Sequence, residues 1–201
     1  MATLKVNTIS GIGTEGVVLD GGLHFRSLNY MTLPKGTTTQ RGRGRGLWAG
    51  GTVAPETNVI QYVELSTTGN TTDFGDLLVK GGRSSGNCSS NTRGVFSISN
   101  YPSSDSITLE FVTIASAGNA TDFGDHATAT TTKGALSDTI RGLFYGGFSP
   151  AITGNYQNTV DQITIATTGN AVDWGDVQLS TGTGRGAYAS GISDSHGGLT
   201  E

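Results

Sequence analysis

Several short strings in this chain carry residue types that do chemistry in other settings. Gly11-Ile12-Gly13-Thr14-Glu15-Gly16 has the glycine spacing that lets a backbone approach a dinucleotide pyrophosphate. That chemistry needs a parallel strand before the string and a helix N-terminus after it. No helical period follows Gly16, so the string reads as a turn. Gly82-Arg83-Ser84-Ser85-Gly86 matches a nucleophile elbow, whose serine needs a strand-to-helix turn and a distant acid and histidine. The three histidines, His24, His126 and His196, stand in no matching context, so a polar inter-strand turn is the better reading. Asp73-Phe74-Gly75 and Asp122-Phe123-Gly124 spell the magnesium motif of protein kinases. The glycine-rich loop, strand lysine and catalytic loop that must accompany it are absent. The same aspartates could offer oxygen to calcium, but two Asp three residues apart with no Glu nearby make a poor cation site.

Arg41-Gly42-Arg43-Gly44-Arg45-Gly46 looks like a short RNA-binding tract, yet it lacks interleaved aromatics for base stacking. Arg41 and Arg43 are better placed to pair with acidic groups on a protein partner. Asn70-Thr71-Thr72, Asn87-Cys88-Ser89 and Asn119-Ala120-Thr121 fit the glycosylation pattern, but Met1 to Ser10 lacks the apolar core of a secretory signal. Cys88 is the single cysteine, which excludes an intrachain disulfide, and it reads as a small residue in a polar turn. Histidines and cysteine do not cluster at zinc spacing, and no two carboxylates stand out as a glycosidase pair. No catalytic, cofactor-binding or metal-ligating residue is assigned, and the chain is not expected to be an enzyme.

The elements that hold these residues follow from composition and spacing. Glycine supplies 32 of 201 residues, threonine 30 and serine 19, while charged residues make up 14%. Such a chain suits many short strands joined by tight turns and excludes a helical bundle. The net charge of −4 argues against general nucleic-acid binding, and no apolar run is long enough to span a bilayer.

The chain also repeats. Arg45-Gly46-Leu47-Trp48, Arg93-Gly94-Val95-Phe96 and Arg141-Gly142-Leu143-Phe144 recur every 48 residues. Each is followed by a second signature: Gly69-Asn70-Thr71-Thr72-Asp73-Phe74-Gly75-Asp76, Gly118-Asn119-Ala120-Thr121-Asp122-Phe123-Gly124-Asp125 and Gly169-Asn170-Ala171-Val172-Asp173-Trp174-Gly175-Asp176. A period of this length belongs to propeller blades, which run to roughly 40–50 residues. The Arg-Gly segment reads as one strand. Ile60 to Leu65, Leu109 to Ile114 and Val160 to Ile165 alternate with period two and read as the next. A further strand is expected around Leu77-Leu78-Val79. Double glycines at Gly50-Gly51 and Gly146-Gly147 predict close backbone approach, with Ile98-Ser99 as the departure in the second repeat. Phe74, Phe123 and Trp174 are expected to be buried between repeats at equivalent places.

Residues 1–40 stand outside the repeat and read as an extended arm, with a short strand over Leu4 to Ser10. Residues 41–201 form the repeat domain, in units of about 45–92, 93–140 and 141–192, with a partial fourth start at 193–201. The Arg-Gly-Leu-Phe-x-Gly-Gly and Thr-Thr-Gly-Asn-Ala-x-Asp-Phe/Trp-Gly-Asp signatures resemble the kelch-like repeats of virion structural and tail-fibre-like proteins of marine tailed bacteriophages. Leu4-Lys5-Val6-Asn7-Thr8-Ile9 is similar to the leader of many such proteins, and Ser195-His196-Gly197-Gly198-Leu199 to their ends.

The expected fold is therefore all-β: a kelch-like, propeller-type domain of three units behind an N-terminal arm. The resemblance implies a non-enzymatic virion component, a fibre or appendage on tail or capsid, made in the host cytoplasm. The arm would bind other virion proteins. Three units are few for a closed propeller, so a homo-oligomer is expected. The fibre resemblance favours a trimer, and a dimer would give six blades. No cofactor, nucleic acid or membrane insertion is expected. The other reading is an adhesin for host cell-surface glycan, with Tyr101 and Tyr156 as receptor contacts in the variable loops Thr52 to Asn58, Asn100 to Ser106 and Phe148 to Asn158.

Overall fold

The computed structural model describes residues 44–51, 56–81, 86–98, 106–149, 156–178 and 191–193. The arm at 1–40, the Gly11 and Ser84 strings, Tyr101 and the chain end at 194–201 lie outside the described residues. Every described residue that is regular is a strand: β1 (Arg45–Ala49), β2 (Val59–Glu64), β3 (Thr72–Asp76), β4 (Asn87–Ser89), β5 (Arg93–Ser97), β6 (Ser106–Thr113), β7 (Thr121–Thr130), β8 (Gly134–Ser137), β9 (Arg141–Tyr145), β10 (Thr159–Thr164) and β11 (Val172–Asp176). They form three antiparallel meanders, β1-β2-β3, β4-β5-β6-β7 and β8-β9-β10-β11, so the protein is all-β.

The Arg-Gly strands and the period-two strands are where the sequence places them. Leu77 to Val79 is not a strand, which corrects the expected fourth strand. The additional strand is β4 or β8, and it pairs forward, with the Arg-Gly strand of the next repeat. Each of the two four-stranded sheets therefore opens one short strand ahead of its Arg-Gly pair. A polar side chain caps the intervening turn. Ser90 Oγ accepts from the backbone N–H of Thr92 and Arg93, and Asp138 Oδ1 accepts from those of Ile140 and Arg141.

The Asp-aromatic-Gly-Asp signature builds a β-bulge at the same point in all three sheets. The register shifts between Ile60 and Gln61, Leu109 and Glu110, and Val160 and Asp161. Phe74, Phe123 and Trp174 are the extra residues. The following glycine takes a positive φ, 150° at Gly75, 142° at Gly124 and 147° at Gly175, which a side chain would strain.

The core lies between sheets. Ile60, Phe74 and Leu77 of the first repeat pack with Phe96, Ile98, Val112 and Ala120 of the second. Cys88, Val95, Leu109 and Phe123 of the second sheet pack with Phe144, Ile163, Ile165 and Ala171 of the third. Cys88 thus lies inside a strand at a sheet interface, not in a polar turn. It is 5% exposed, and burial pushes its thiol up to about 12.

Candidate functional site: the junction between sheets

The residues shared by the repeats converge where one sheet meets the next. The bulge leaves the aromatic residue's carbonyl unpaired within its own sheet, and the following sheet supplies the donor. Phe74 C=O accepts from Gly118 N–H at 2.7 Å, and Phe123 C=O from Gly169 N–H at 2.7 Å. Asn119 Oδ1 accepts from Asp76 N–H at 3.1 Å, and Asn170 Oδ1 from Asp125 N–H at 3.1 Å. Asp76 and Asp125 then return their carbonyls to Ala120 and Ala171 N–H. A Cβ on Gly75 or Gly124 would overlap the carbonyl of Gly118 or Gly169, so the glycine is required by the neighbour as well as by φ.

Arginine adds a second clasp. Arg45 stacks over the Tyr62 ring and donates to Ile114 C=O of the next repeat at 3.0 Å. Arg93 stacks over Phe111 and donates to Ile165 C=O at 3.2 Å. Beneath each clasp an aromatic pair meets edge to face, Tyr62 with Phe74 and Phe111 with Phe123, both at 5.9 Å. Phe74 and Phe123 are each 2% exposed, as expected. Trp174 is 59% exposed, which corrects the third member of that column. No sheet among the described residues follows it. Gln162 stands where Tyr62 and Phe111 supply the ring, and Arg141 turns to Asp138 instead.

An acidic column joins the same interfaces. Glu110 is buried in β6 and accepts from the N–H groups of Leu78 and Val79, just past the first sheet, at 2.7 and 3.1 Å. Burial raises its carboxyl above the ordinary value. Its counterpart Asp161 lies 3.2 Å from His126 Nδ1 and 3.3 Å from Lys133 Nζ. His126 Nε2 in turn is 2.8 Å from Ser97 Oγ. With Nε2 accepting from the serine, the neutral tautomer carries its proton on Nδ1, the nitrogen on the Asp161 side. Desolvation lowers the His126 and Lys133 basicities. Burial alone would raise Asp161, but His126 and Lys133 outweigh it and hold the carboxyl below its usual value.

The Ser97–His126–Asp161 order is that of a hydrolase triad, and its accessibility is not. Ser97 is 6% exposed, His126 4% and Asp161 1%. The imidazole stands edge to face on Phe144 at 4.9 Å. Nδ1 is off the line of a good hydrogen bond to Asp161, and Lys133 shares the carboxylate that a triad would reserve for histidine. Buried to this degree, the group acts as a polar cross-link between the second and third sheets. The sequence alone does not single out Glu110, Lys133 and Asp161, and it offers His126 only as a histidine in no matching context. The available signal was an acid next to an apolar column, Glu110 after Leu109 and Asp161 after Val160, where the first repeat has Gln61.

Among the described residues no three His, Cys, Asp or Glu side chains gather as metal ligands. Asp173 Oδ1 accepts from Gly175 N–H two residues on, within the bulge. Of the two loop tyrosines, Tyr156 is 41% exposed and leans on Phe148, with ring centroids 5.4 Å apart. It also bridges to Phe148 through the backbone. Neither known family models nor curated protein sequences match this chain.

Proposed function

We propose that this chain is a non-enzymatic structural component of a phage particle, with residues 1–40 docking on other virion proteins and a propeller-type array of kelch-like blades displayed outward. The observation that carries the non-enzymatic part is the occupation of the shared residues. At the two junctions between described sheets, arginine, aromatic, glycine, asparagine and the buried acids Glu110 and Asp161 hold one sheet to the next. Among the described residues, the constellation with catalytic order, Ser97, His126 and Asp161, is buried. The particle assignment rests on the likeness of the repeat signatures and the Leu4 to Ile9 leader to phage structural proteins.

The test is deletion of residues 1–40. Such a chain keeps its sheets and stays out of particles. Normal incorporation of the truncated chain refutes the docking role. A second reading, an adhesin for host glycan, draws on the exposed Tyr156 ring beside Phe148, an aromatic surface of the kind that suits the apolar face of a sugar. Changing Tyr101 and Tyr156 to Ala together in intact particles lowers adsorption on that reading and leaves it unchanged on the structural one.

A further inference from the structure

The two ends of the stack are halves of the junction seen twice inside it. At the leading end, Gly69-Asn70-Thr71 aligns with Gly118-Asn119-Ala120 and Gly169-Asn170-Ala171, and Thr71 is exposed where Ala120 and Ala171 are buried. Leu65 is 69% exposed where Ile165 is fully buried, and Trp48 is 55% exposed where Phe96 and Phe144 are 5% and 0%. At the trailing end Trp174 is 59% exposed where Phe74 and Phe123 are buried. A Cβ on Gly175 would meet only open space. Trp174 lines a shallow groove with Leu136, Arg141 and Leu143. Among the described residues, Trp174 C=O, Asp176 N–H and Asp176 C=O lack the partners that their counterparts have. Arg141 lies on Asp138, and no described carbonyl of a following sheet stands where Ile114 and Ile165 meet Arg45 and Arg93.

We propose that a second copy of this chain docks head to tail, its Gly69-Asn70-Thr71 loop seated on Trp174-Gly175-Asp176, and that two copies close a ring of six sheets. Each backbone and asparagine bond of the internal junction has its donor and acceptor in place, and Arg141, now on Asp138, has to turn from it. Gly69 N–H meets Trp174 C=O, Asn70 Oδ1 meets Asp176 N–H, Thr71 N–H meets Asp176 C=O, and Arg141 reaches Leu65 C=O. Thr71 in place of alanine is the one departure in the loop. The leading and trailing faces differ, so the contact is heterologous. Such contacts propagate until rotation closes them or continue as a filament. Propellers close at about four to eight sheets, so two copies fit and three, with nine, exceed the range. Size thus favours the dimer over the trimer expected from the fibre resemblance. The inference needs only the stacked sheets and stands whether or not the chain belongs to a particle.

The experiment is sedimentation of the full chain with two surface variants. Thr71→Arg blocks the leading face, and Trp174→Ala removes the trailing anchor. Both positions are exposed, so folding, checked by circular dichroism, is retained. The wild type sediments at twice the 20.7 kDa of one chain. Each variant alone is weakened by about thirtyfold or more, the scale of a central anchor. Mixing the two restores association, because one mixed junction has an intact leading face and an intact trailing face. A monomeric wild type overturns the proposal, as it would if the chain's own remaining segments covered these faces. A trimer or an open polymer overturns closure at two copies. A dimer indifferent to both variants, or variants that do not complement on mixing, overturns the head-to-tail contact.

Discussion

Replacing Phe123 with alanine, and comparing the loss with that from Trp174, tests the junction as the seat of stability. Phe123 is 2% exposed and packs edge to face on Phe111 within the cluster joining the second and third sheets. Truncating such a ring costs about 3–5 kcal/mol, of which the aromatic pair accounts for ~0.5–1.5 kcal/mol. Trp174 occupies the equivalent bulge but is 59% exposed. The remaining two-fifths of a ring of ~200–250 Å², at ~25 cal/mol per Å², gives about 2 kcal/mol as an upper limit. Alanine keeps a share of that, so about 1–2 kcal/mol is expected. Urea and thermal unfolding of the full chain measure both, at dilution low enough to keep single chains. At about 2–4 °C per kcal/mol for a chain of this size, Phe123→Ala lowers Tm by about 6–20 °C. Equal losses at the two positions, or a loss below about 1 kcal/mol at Phe123, would refute the claim that a following sheet is what makes the column a core.

The glycine at the bulge gives a matched pair. Gly124→Ala and Gly175→Ala carry similar φ strain, about 1–3 kcal/mol, but only the first also breaks junction bonds, at about 1 kcal/mol each. Equal unfolding midpoints for the two variants would contradict that. The Cys88 thiol, pushed to about 12 by burial, stays unreacted with a disulfide reagent in the folded chain and labels fully in urea. Native labelling at the unfolded rate would place it on the surface. Acid destabilises the fold through His126 and Asp161. Both are held below their ordinary values in the folded chain, so the unfolded chain binds protons first as pH falls below ~6.5 and then through the carboxylate range. Glu110, raised by burial, acts in the opposite sense. His126→Gln therefore flattens the loss of urea resistance between about pH 7 and 5, and an unchanged slope in the variant would remove His126 from the account.

Period-two alternation in Ile60 to Leu65 and its repeats, and the turn residues around Gly69-Asn70, Gly118-Asn119 and Gly169-Asn170, placed the period-two strands and the turns after them from sequence alone, but not the strand and bulge built by the Asp-aromatic-Gly-Asp signature. Alternation and backbone permissiveness are properties of a few neighbouring residues, so they are written locally. The partner of each strand is not. Leu77 to Val79 has a strand's composition but faces Glu110, whose carboxylate takes two of its N–H groups. The strand that completes the second sheet is Asn87–Ser89, joined to the repeat that follows it. Trp174 shows the same limit most plainly. Its bulge is dictated by Asp173 and Gly175, and its burial depends on a sheet that must come after it. His126, Lys133 and Asp161 stand far apart in the chain, and only stacking the second sheet on the third removes them from water together. Desolvation is set by everything that surrounds a group, so their shifted basicities, and the sealing of a serine–histidine–aspartate order into a cross-link, were decided by tertiary structure.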